Sequence, residues 1–394
     1  MDGKRRKDQF EQTMMSVAVG IPCLRIGGTE MQTLHLVRAL VLEGYEVRVI
    51  CYFEYDNDVV AEFERCGSKV TLLDYSRSMP KAVFVSDLAK EFRSIQADVV
   101  HIQYMTPGAL AVLAARLAGV KRLLATVHQP YTEGHGIHAK ILLRCSAFFC
   151  SHFIAVSQSA EQSWFGSSQR YAYGDETRLP AHFTLYNAVD VRRIRELCAE
   201  GHEQAEKSGR GAFVFGFLGR LSHEKGADLL FDAFDVLSRK HEQLGLLVVG
   251  DGPERKRIED RYSRTGWWGD VTFKGLCSWQ EAMTQFSSMD ALVVPSRFEG
   301  FGLSAVEALA AGKPVIASEC GGLSEIIENG ISGLIFPAGD TDALVAAMER
   351  LLNDRPLRSR LEIRAAARAD EFDVGRFNRN VAGIYKRMFQ DARR

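Results

Sequence analysis

The stretch "ALVVPSRFEGFGLSAVEALAAGKPVIASE", residues 291–319, contains two short apolar runs, "ALVVPS" and "KPVIASE", joined by a glycine-rich loop and the helical pattern "LSAVEALAAG". A strand that is apolar on both faces, followed by a helix and a second such strand, is the repeating unit of a parallel sheet covered by helices. The same alternation extends along nearly the whole chain. In the first half the runs are "SVAVGIP", "YEVRVICY", "KVTLLD", "ADVVHIQ", "RLLATVH" and "HFIAVS". In the second half they are "FVFGFLGRL", "GLLVVGDG", "VTFKGL", "ALVVPS", "KPVIASE" and "GLIFP". Two such series predict an α/β protein of two doubly wound, Rossmann-like domains with parallel sheets.

A chain of 394 residues suits that division, since a single core stops growing at about 250–300 residues. The break is expected at 187/188, before a polar, loop-like stretch at 199–212, giving domains 1–187 and 188–372. The last stretch, about 373–394, reads as an amphipathic helix with Phe377, Val381, Ile384, Tyr385 and Met388 on one stripe. The net charge of −1 argues against a nucleic-acid binder that relies on a bulk basic field. Eight scattered cysteines without a CxxC pair argue against a structural zinc or a disulfide framework and fit a reducing cytosol. No run reaches the ~18 apolar residues of a membrane span; "ILLRCSAFFCSHFIAV" comes nearest, broken by Arg144 and His152. The start, "MDGKRRKDQFEQTMMSVAVGIPCL", is basic and then apolar, but Asp8 and Glu11 interrupt it and no cleavage site follows, so "SVAVGIP" is read as the first strand.

Ligands of open α/β sheets bind beyond the carboxyl ends of the strands, and two such domains facing each other would form a cleft there. After "FVFGFLGRL", Arg220 and Lys225 flank a strand–helix turn, either as two solvated charges or as a clamp for a diphosphate. After "GLLVVGDG", Gly250 and Gly252 allow close backbone approach or simply form a tight turn, with Pro253 suited to the first turn of the next helix. Neither this segment nor "RIGGTE" is a GxGxxG fingerprint, which weakens a nicotinamide or flavin reading. After "ALVVPS", Gly300 and Gly302 allow the backbone N–H groups at the start of the next helix to point at an anion. Glu299 and Glu307 flank that turn. A carboxylate beside a phosphate repels it, whereas a carboxylate accepts hydrogen bonds well from sugar hydroxyls. The pattern suggests a ligand with hydroxyls at both ends and phosphates between them, as in a nucleoside diphosphate sugar.

"GRLSHEKG", "GDGPE" and "PSRFEGFGLSAVEALAAGKPVIAS" resemble the retaining glycosyltransferases of family GT4, which have the two-Rossmann GT-B fold. The spacing from Glu299 to Glu307 is the most specific element, and "GGLSEIIENGISGLIFPAGDTDAL" is similar to the family's next segment. The resemblance implies a donor-binding C-terminal domain, an acceptor-side N-terminal domain and a terminal helix that packs back onto the latter. It implies that Arg220 and Lys225 bind the diphosphate and Glu307 the ribose. It places Glu299 on donor-sugar hydroxyls and Phe301, Gly302 and Leu303 at the sugar–phosphate junction. "RIGGTEMQ", with Gly27 and Gly28, resembles the family's first loop, near donor phosphate and acceptor. His128 in "ATVHQP" stands where the family often has a histidine near the transferred sugar, while His101 is read as structural. Two departures are Gln129, where aspartate is common, and Ala188 in "NAVD", where glycine is frequent.

The activity implied is retaining, metal-independent transfer from a nucleoside diphosphate sugar, most often a UDP-sugar among relatives. The acceptor hydroxyl would belong to a glycan, glycolipid or small molecule. No cofactor beyond that co-substrate is expected. A nucleotide-sugar hydrolase or epimerase, or a catalytically idle nucleotide-sugar-binding subunit, remains open on the residues alone. "DND" at 56–58, read as a polar loop, and "DTD" at 340–342, read as a helix cap, are set aside as metal motifs. His135 and His138, read as lying in a glycine loop, are set aside as zinc ligands. The tetrad "KRRK" at 4–7 reads as a solvated tail, compatible with weak peripheral attraction to an anionic membrane.

Overall fold

The computed structural model describes residues 14–105, 108–174, 178–205 and 212–391, so the basic tetrad at 4–7 and part of the polar stretch at 199–212 lie outside the described residues. The first sheet comprises β1 (Ser16–Ile21), β2 (Glu46–Cys51), β3 (Lys69–Leu72), β4 (Val99–Tyr104), β5 (Arg122–Val127), β6 (His152–Ala155) and β7 (His182–Thr184). The second comprises β8 (Phe213–Leu218), β9 (Leu244–Val249), β10 (Val271–Gly275), β11 (Ala291–Val294), β12 (Val315–Ser318) and β13 (Gly333–Phe336). Their orders are β3-β2-β1-β4-β5-β6-β7 and β10-β9-β8-β11-β12-β13. All pairs of the second sheet are parallel, with Phe213 beside Leu244 and Leu292 beside Val315. The architecture expected from the alternating runs is therefore present, two parallel Rossmann-like sheets with intervening helices.

Every strand except β7 coincides with an apolar run read from the sequence. β7 is only three residues long, too short to show a periodicity of its own. It pairs with β6 through Ile154 beside Phe183, both buried. Central strands such as β9 are apolar throughout and buried, whereas edge strands β3 and β10 are only partly covered, as sheet edges must be.

By internal packing the chain forms two compact units, Met1–Ala125 with Cys145–Ser151 and Met388–Arg394, and Thr126–Arg144 with His152–Arg387. In the first, Val17, Val19, Val49, Ile50 and Ile102 of the sheet are fully or almost fully buried, as are Val37 and Leu40 of the helix Gly28–Leu42. In the second, one face of β8–β13 packs on Leu229, Leu230, Phe234, Leu344 and Met348. The other packs on Ile194, Met283, Phe286, Ala305, Leu309 and Phe372. The terminal helix Val374–Asp391 forms, and its five predicted stripe residues are buried.

Three local expectations are corrected. Residues 199–205 are not loop but the end of the helix Val191–Ala205, because Val191, Ile194, Leu197 and Cys198 bury a helical stripe beneath a charged face. Asp56 is not in an open loop; its carboxylate accepts the Asp58 N–H at 3.0 Å and caps the helix Asn57–Arg65, which buries Val60 and Phe63. His135 ends a single tight turn and His138 lies in the helix Gly136–Phe148; the His135 imidazole is held 2.8 Å from the Thr132 hydroxyl. Asp340 caps the helix Thr341–Asn353 through the Ala343 N–H, as expected.

Candidate active site

In the second sheet β8 and β11 are neighbours at the centre, and chain order runs outward from them in both directions. This reversal leaves the loops after β8 and β11 diverging from adjacent strand ends, the place where open α/β sheets bind ligands. Arg220 and Lys225 come from the first loop and Glu299 from the second.

The two loops interlock at glycines. Gly226 has φ +66°, and a Cβ there would collide with the carbonyl oxygen of Pro295. Gly250 and Gly252 pack against the loop after β8, since side chains at these positions would strike its Gly219 and Leu221 carbonyls. Pro253, expected in the first helical turn, instead precedes Glu254, the cap of the helix Arg255–Tyr262. Arg297, which the sequence reading did not single out, holds the arrangement. Its guanidinium grips Asp228 with two bonds of 2.7 and 2.8 Å and donates to the His223 carbonyl at 2.9 Å. The Arg297 N–H donates to the Glu224 carbonyl at 2.7 Å. Burial works against the Asp228 carboxylate, but Arg297 outweighs it and keeps its pKa below the usual range.

Within that frame Lys225 Nζ lies 2.8 Å from Glu299 Oε2, which also accepts from the Ser296 hydroxyl at 3.3 Å. The Glu299 side chain is only 10% exposed, and its Oε1 takes no bond from the described residues. Burial, then the neighbouring Glu299, pushes the Cys320 thiol up to about 11 and keeps it protonated. Arg220 is exposed and has no ion-pair partner among the described residues.

After Glu299 the chain passes Gly300 and buried Phe301 to Gly302, whose φ of +113° turns it into the helix Leu303–Ala310. Among the described residues no side chain caps this N-terminus. The helix ends in paired bonds from Gly312 N–H to the Leu309 carbonyl and from Lys313 N–H to the Ala308 carbonyl, a Schellman closure. Glu307 projects from its second turn and accepts the Trp279 indole N–H at 3.0 Å. Burial raises Glu307 to about 7, and the Trp279 bond only partly opposes it. Trp279 was not anticipated; the only local signal is its place just inside the helix capped by Ser278 and Glu281.

His128, at the end of β5, belongs to the same compact unit. Its carbonyl lies where a Cβ on Gly300 would be, so only glycine lets the two segments meet. The Ser157 hydroxyl donates to the Gly300 carbonyl at 2.7 Å and caps the helix Gln158–Phe165. Burial lowers the His128 imidazole to about 4, so it is neutral at pH 7. Gln129 directs its carbonyl to the Trp164 indole N–H at 2.7 Å.

Gly27 and Gly28 belong to the first unit, where they open the helix Gly28–Leu42. The Glu30 carboxylate folds against Gly27 and accepts the Cys23 thiol at 3.2 Å. Burial raises the Glu30 pKa and, with Glu30 beside it, pushes Cys23 up to about 12. Among the described residues no three His, Cys, Asp or Glu side chains converge as metal ligands, and no helix is long and apolar enough to cross a membrane.

The chain matches two family models in succession, "Glycosyltransferase Family 4" over residues 26–165 and "Glycosyl transferases group 1" over residues 200–368. It is 34% identical over 358 residues to an uncharacterized glycosyltransferase of Methanocaldococcus jannaschii, covering 84% of this chain and 86% of that one. It is 30% identical over 226 residues to the alpha-D-kanosaminyltransferase of Streptomyces kanamyceticus, 54% of this chain but only 58% of that protein's length. Among solved structures, that of Anabaena HepE with UDP and glucose superposes with a TM-score of 0.77 at 20% identity, covering 94% of this chain and 99% of that one. With both sheets, both family models and a relative matched over most of its length in agreement, the chain belongs to the family 4, group 1 glycosyltransferases and has their GT-B fold.

Proposed function

We propose that the protein transfers a sugar, with retention of anomeric configuration and without a metal ion, from a nucleoside diphosphate sugar to a hydroxyl of a glycan, glycolipid or small-molecule acceptor. The observation that carries this reading is the Lys225–Glu299 pair at the strand-order reversal, with exposed Arg220 on the same loop as Lys225. A departing nucleoside diphosphate gathers negative charge on its leaving oxygen. Arg220, Lys225 and the uncapped start of the helix Leu303–Ala310 are fixed positive groups that offset it. Glu299 spends Oε2 on Lys225 and Ser296 and keeps Oε1 for donor-sugar hydroxyls. Glu307 accepts from ribose hydroxyls with Trp279 fixing its orientation. Neutral His128 serves as a hydrogen-bonding group near the sugar rather than as a cation. Attack by the acceptor hydroxyl on the face the phosphate leaves would retain configuration without a covalent enzyme intermediate.

A UDP-sugar is the donor we favour, a choice supported by the UDP and glucose bound to the structurally similar HepE. The test is a thermal-shift series with UDP, GDP, ADP and their common sugars, since ligand at 100 times its dissociation constant adds about 2.7 kcal/mol. The donor found is then incubated with acceptor hydroxyls, and the product linkage is read by proton NMR. A shift with uridine nucleotides and a retained linkage is the expected result. An inverted linkage, or donor consumption that is independent of acceptor, overturns the reading.

A further inference from the structure

The loop from Glu299 to Gly302 is braced by a ring of contacts. Gly321 has φ +51°, and a Cβ there would collide with the Glu299 carbonyl oxygen; one on Gly322 would collide with the Phe301 backbone. These glycines lead into the short helix Leu323–Ile326, which Arg368 secures by donating to the Glu325 and Ile326 carbonyls at 2.6 and 2.9 Å. The Glu325 carboxylate in turn accepts the N–H groups of Gln158 and Ser159 at 2.9 and 2.6 Å. The helix Gln158–Phe165 therefore starts with its first three N–H groups satisfied, since the Ser157 hydroxyl accepts that of Ala160 at 3.1 Å. A carboxylate suits this place because it takes two bonds at once and lies at the positive end of the helix.

Capping a helix requires only an acceptor, but fully buried Ser157 does more. Its single proton goes to the Gly300 carbonyl at 2.7 Å, 143 positions away. The ring thus closes: from the loop to Gly321 and Gly322, through Glu325 to the start of Gln158–Phe165, and through Ser157 back to Gly300. All of these residues lie in one compact unit. We propose that Ser157 and Glu325 are positioning residues for the transfer reaction. They act by fixing the Gly300 carbonyl, and so the direction in which Glu299 and the start of the helix Leu303–Ala310 face. A loop with glycine at 300 and 302 has wide backbone freedom, and a catalytic constellation tolerates little displacement. The inference rests on the donor-site reading above, which supplies the reaction that the ring serves.

Three measurements on the full chain test this: hydrogen exchange over residues 297–304, calorimetric affinity for UDP, and kcat and KM with the donor identified by thermal shift. Glu325→Gln leaves one of the two N–H groups without its acceptor. Ser157→Gly removes the tie to Gly300, while glycine remains a tolerated helix cap. Both variants should exchange faster over 297–304, by about fivefold or more. Their kcat should fall by up to about 10²-fold, with UDP affinity within about threefold of wild type. Ser157→Thr keeps the hydroxyl and should recover most of the lost kcat. The double variant should be little worse than the poorer single one, because both changes open the same ring. Exchange needs no substrate, so unchanged exchange in both variants, with wild-type transfer intact, overturns this inference and leaves the donor reading standing. The inference also falls if kcat, UDP affinity and melting temperature drop together, or if Ser157→Thr is as impaired as Ser157→Gly.

Discussion

Lys225 and Glu299, 74 positions apart in the chain, form an ion pair of 2.8 Å in which the carboxylate is nearly buried and the ammonium a third exposed. Each residue comes from a loop at the end of a different central strand, β8 and β11. The Glu299 carboxylate is oriented by Lys225 and by the Ser296 hydroxyl. Preorganised charge of this kind accelerates a reaction because it need not reorient as the transition state forms.

Replacing Lys225 or Arg220 by alanine should reduce kcat by about 10²–10³-fold, or ~2.7–4 kcal/mol of barrier, if each acts as a preorganised stabiliser of the leaving group. Arg220→Ala should leave the melting temperature unchanged because the side chain is exposed and has no ion-pair partner among the described residues. Turnover near wild type in both variants would remove the clamp.

Glu299→Ala separates sugar recognition from nucleotide recognition. Transfer should fall, while calorimetric affinity for the free nucleoside diphosphate remains within about threefold of wild type. An equal loss of nucleotide affinity would move Glu299 out of the sugar subsite.

Arg297→Ala should be costly at a distance from the chemistry. Asp228, about a fifth exposed, loses its two-pronged partner, and the loops bearing Lys225 and Glu299 lose their brace. We expect destabilisation of about 2–4 kcal/mol in denaturant titration, with Arg297→Lys recovering only part of it. If Asp228→Asn and Arg297→Ala add independently in a double-mutant cycle, the brace is not coupled as the geometry requires.

Gly300→Ala tests the approach of the His128 backbone. A methyl group at this position overlaps the His128 carbonyl, so the substitution should displace the segment and lower both melting temperature and transfer. Gly312→Ala is its control, since a Cβ there meets nothing within 4 Å and only the left-handed φ of +70° opposes it, at about 1 kcal/mol.

Glu307 should give a pH signature. Its folded pKa is raised from 4.5 to about 7, so between these values the folded state keeps a proton that the unfolded state has lost. Its contribution to stability is full below about pH 4.5 and is lost as the pH rises through 7. Glu307→Gln should therefore flatten the fall in melting temperature across that window. In the wild type, nucleotide affinity should rise over the same window as the carboxylate becomes a stronger acceptor for ribose hydroxyls. Identical pH profiles for Glu307→Gln and wild type would contradict this assignment.

The parallel sheets were legible because their signal is local. A strand buried on both faces must be apolar along its length, and the helix that covers it must repeat every three to four residues. β7 escaped because three residues cannot display a period, and the end of Val191–Ala205 escaped because its charged face masked a buried stripe. At the strand ends, the glycine placement and the presence of Arg220, Lys225, Glu299 and Glu307 were legible as candidates, since a turn that can face an anion and a carboxylate that can accept from hydroxyls follow from elementary chemistry. The resemblance supplied the roles proposed for them.

The partners of those groups could not be read. That Lys225 pairs with Glu299, that Arg297 grips Asp228, that Trp279 holds Glu307 and that Gly300 admits the His128 carbonyl all depend on which strands are neighbours. Sequence by itself determined all but one of the strands, the family and the residue types available at the strand ends. Tertiary structure alone decided which of those groups meet, because contacts between residues tens of positions apart are set by the order of strands in the sheet and not by any local pattern.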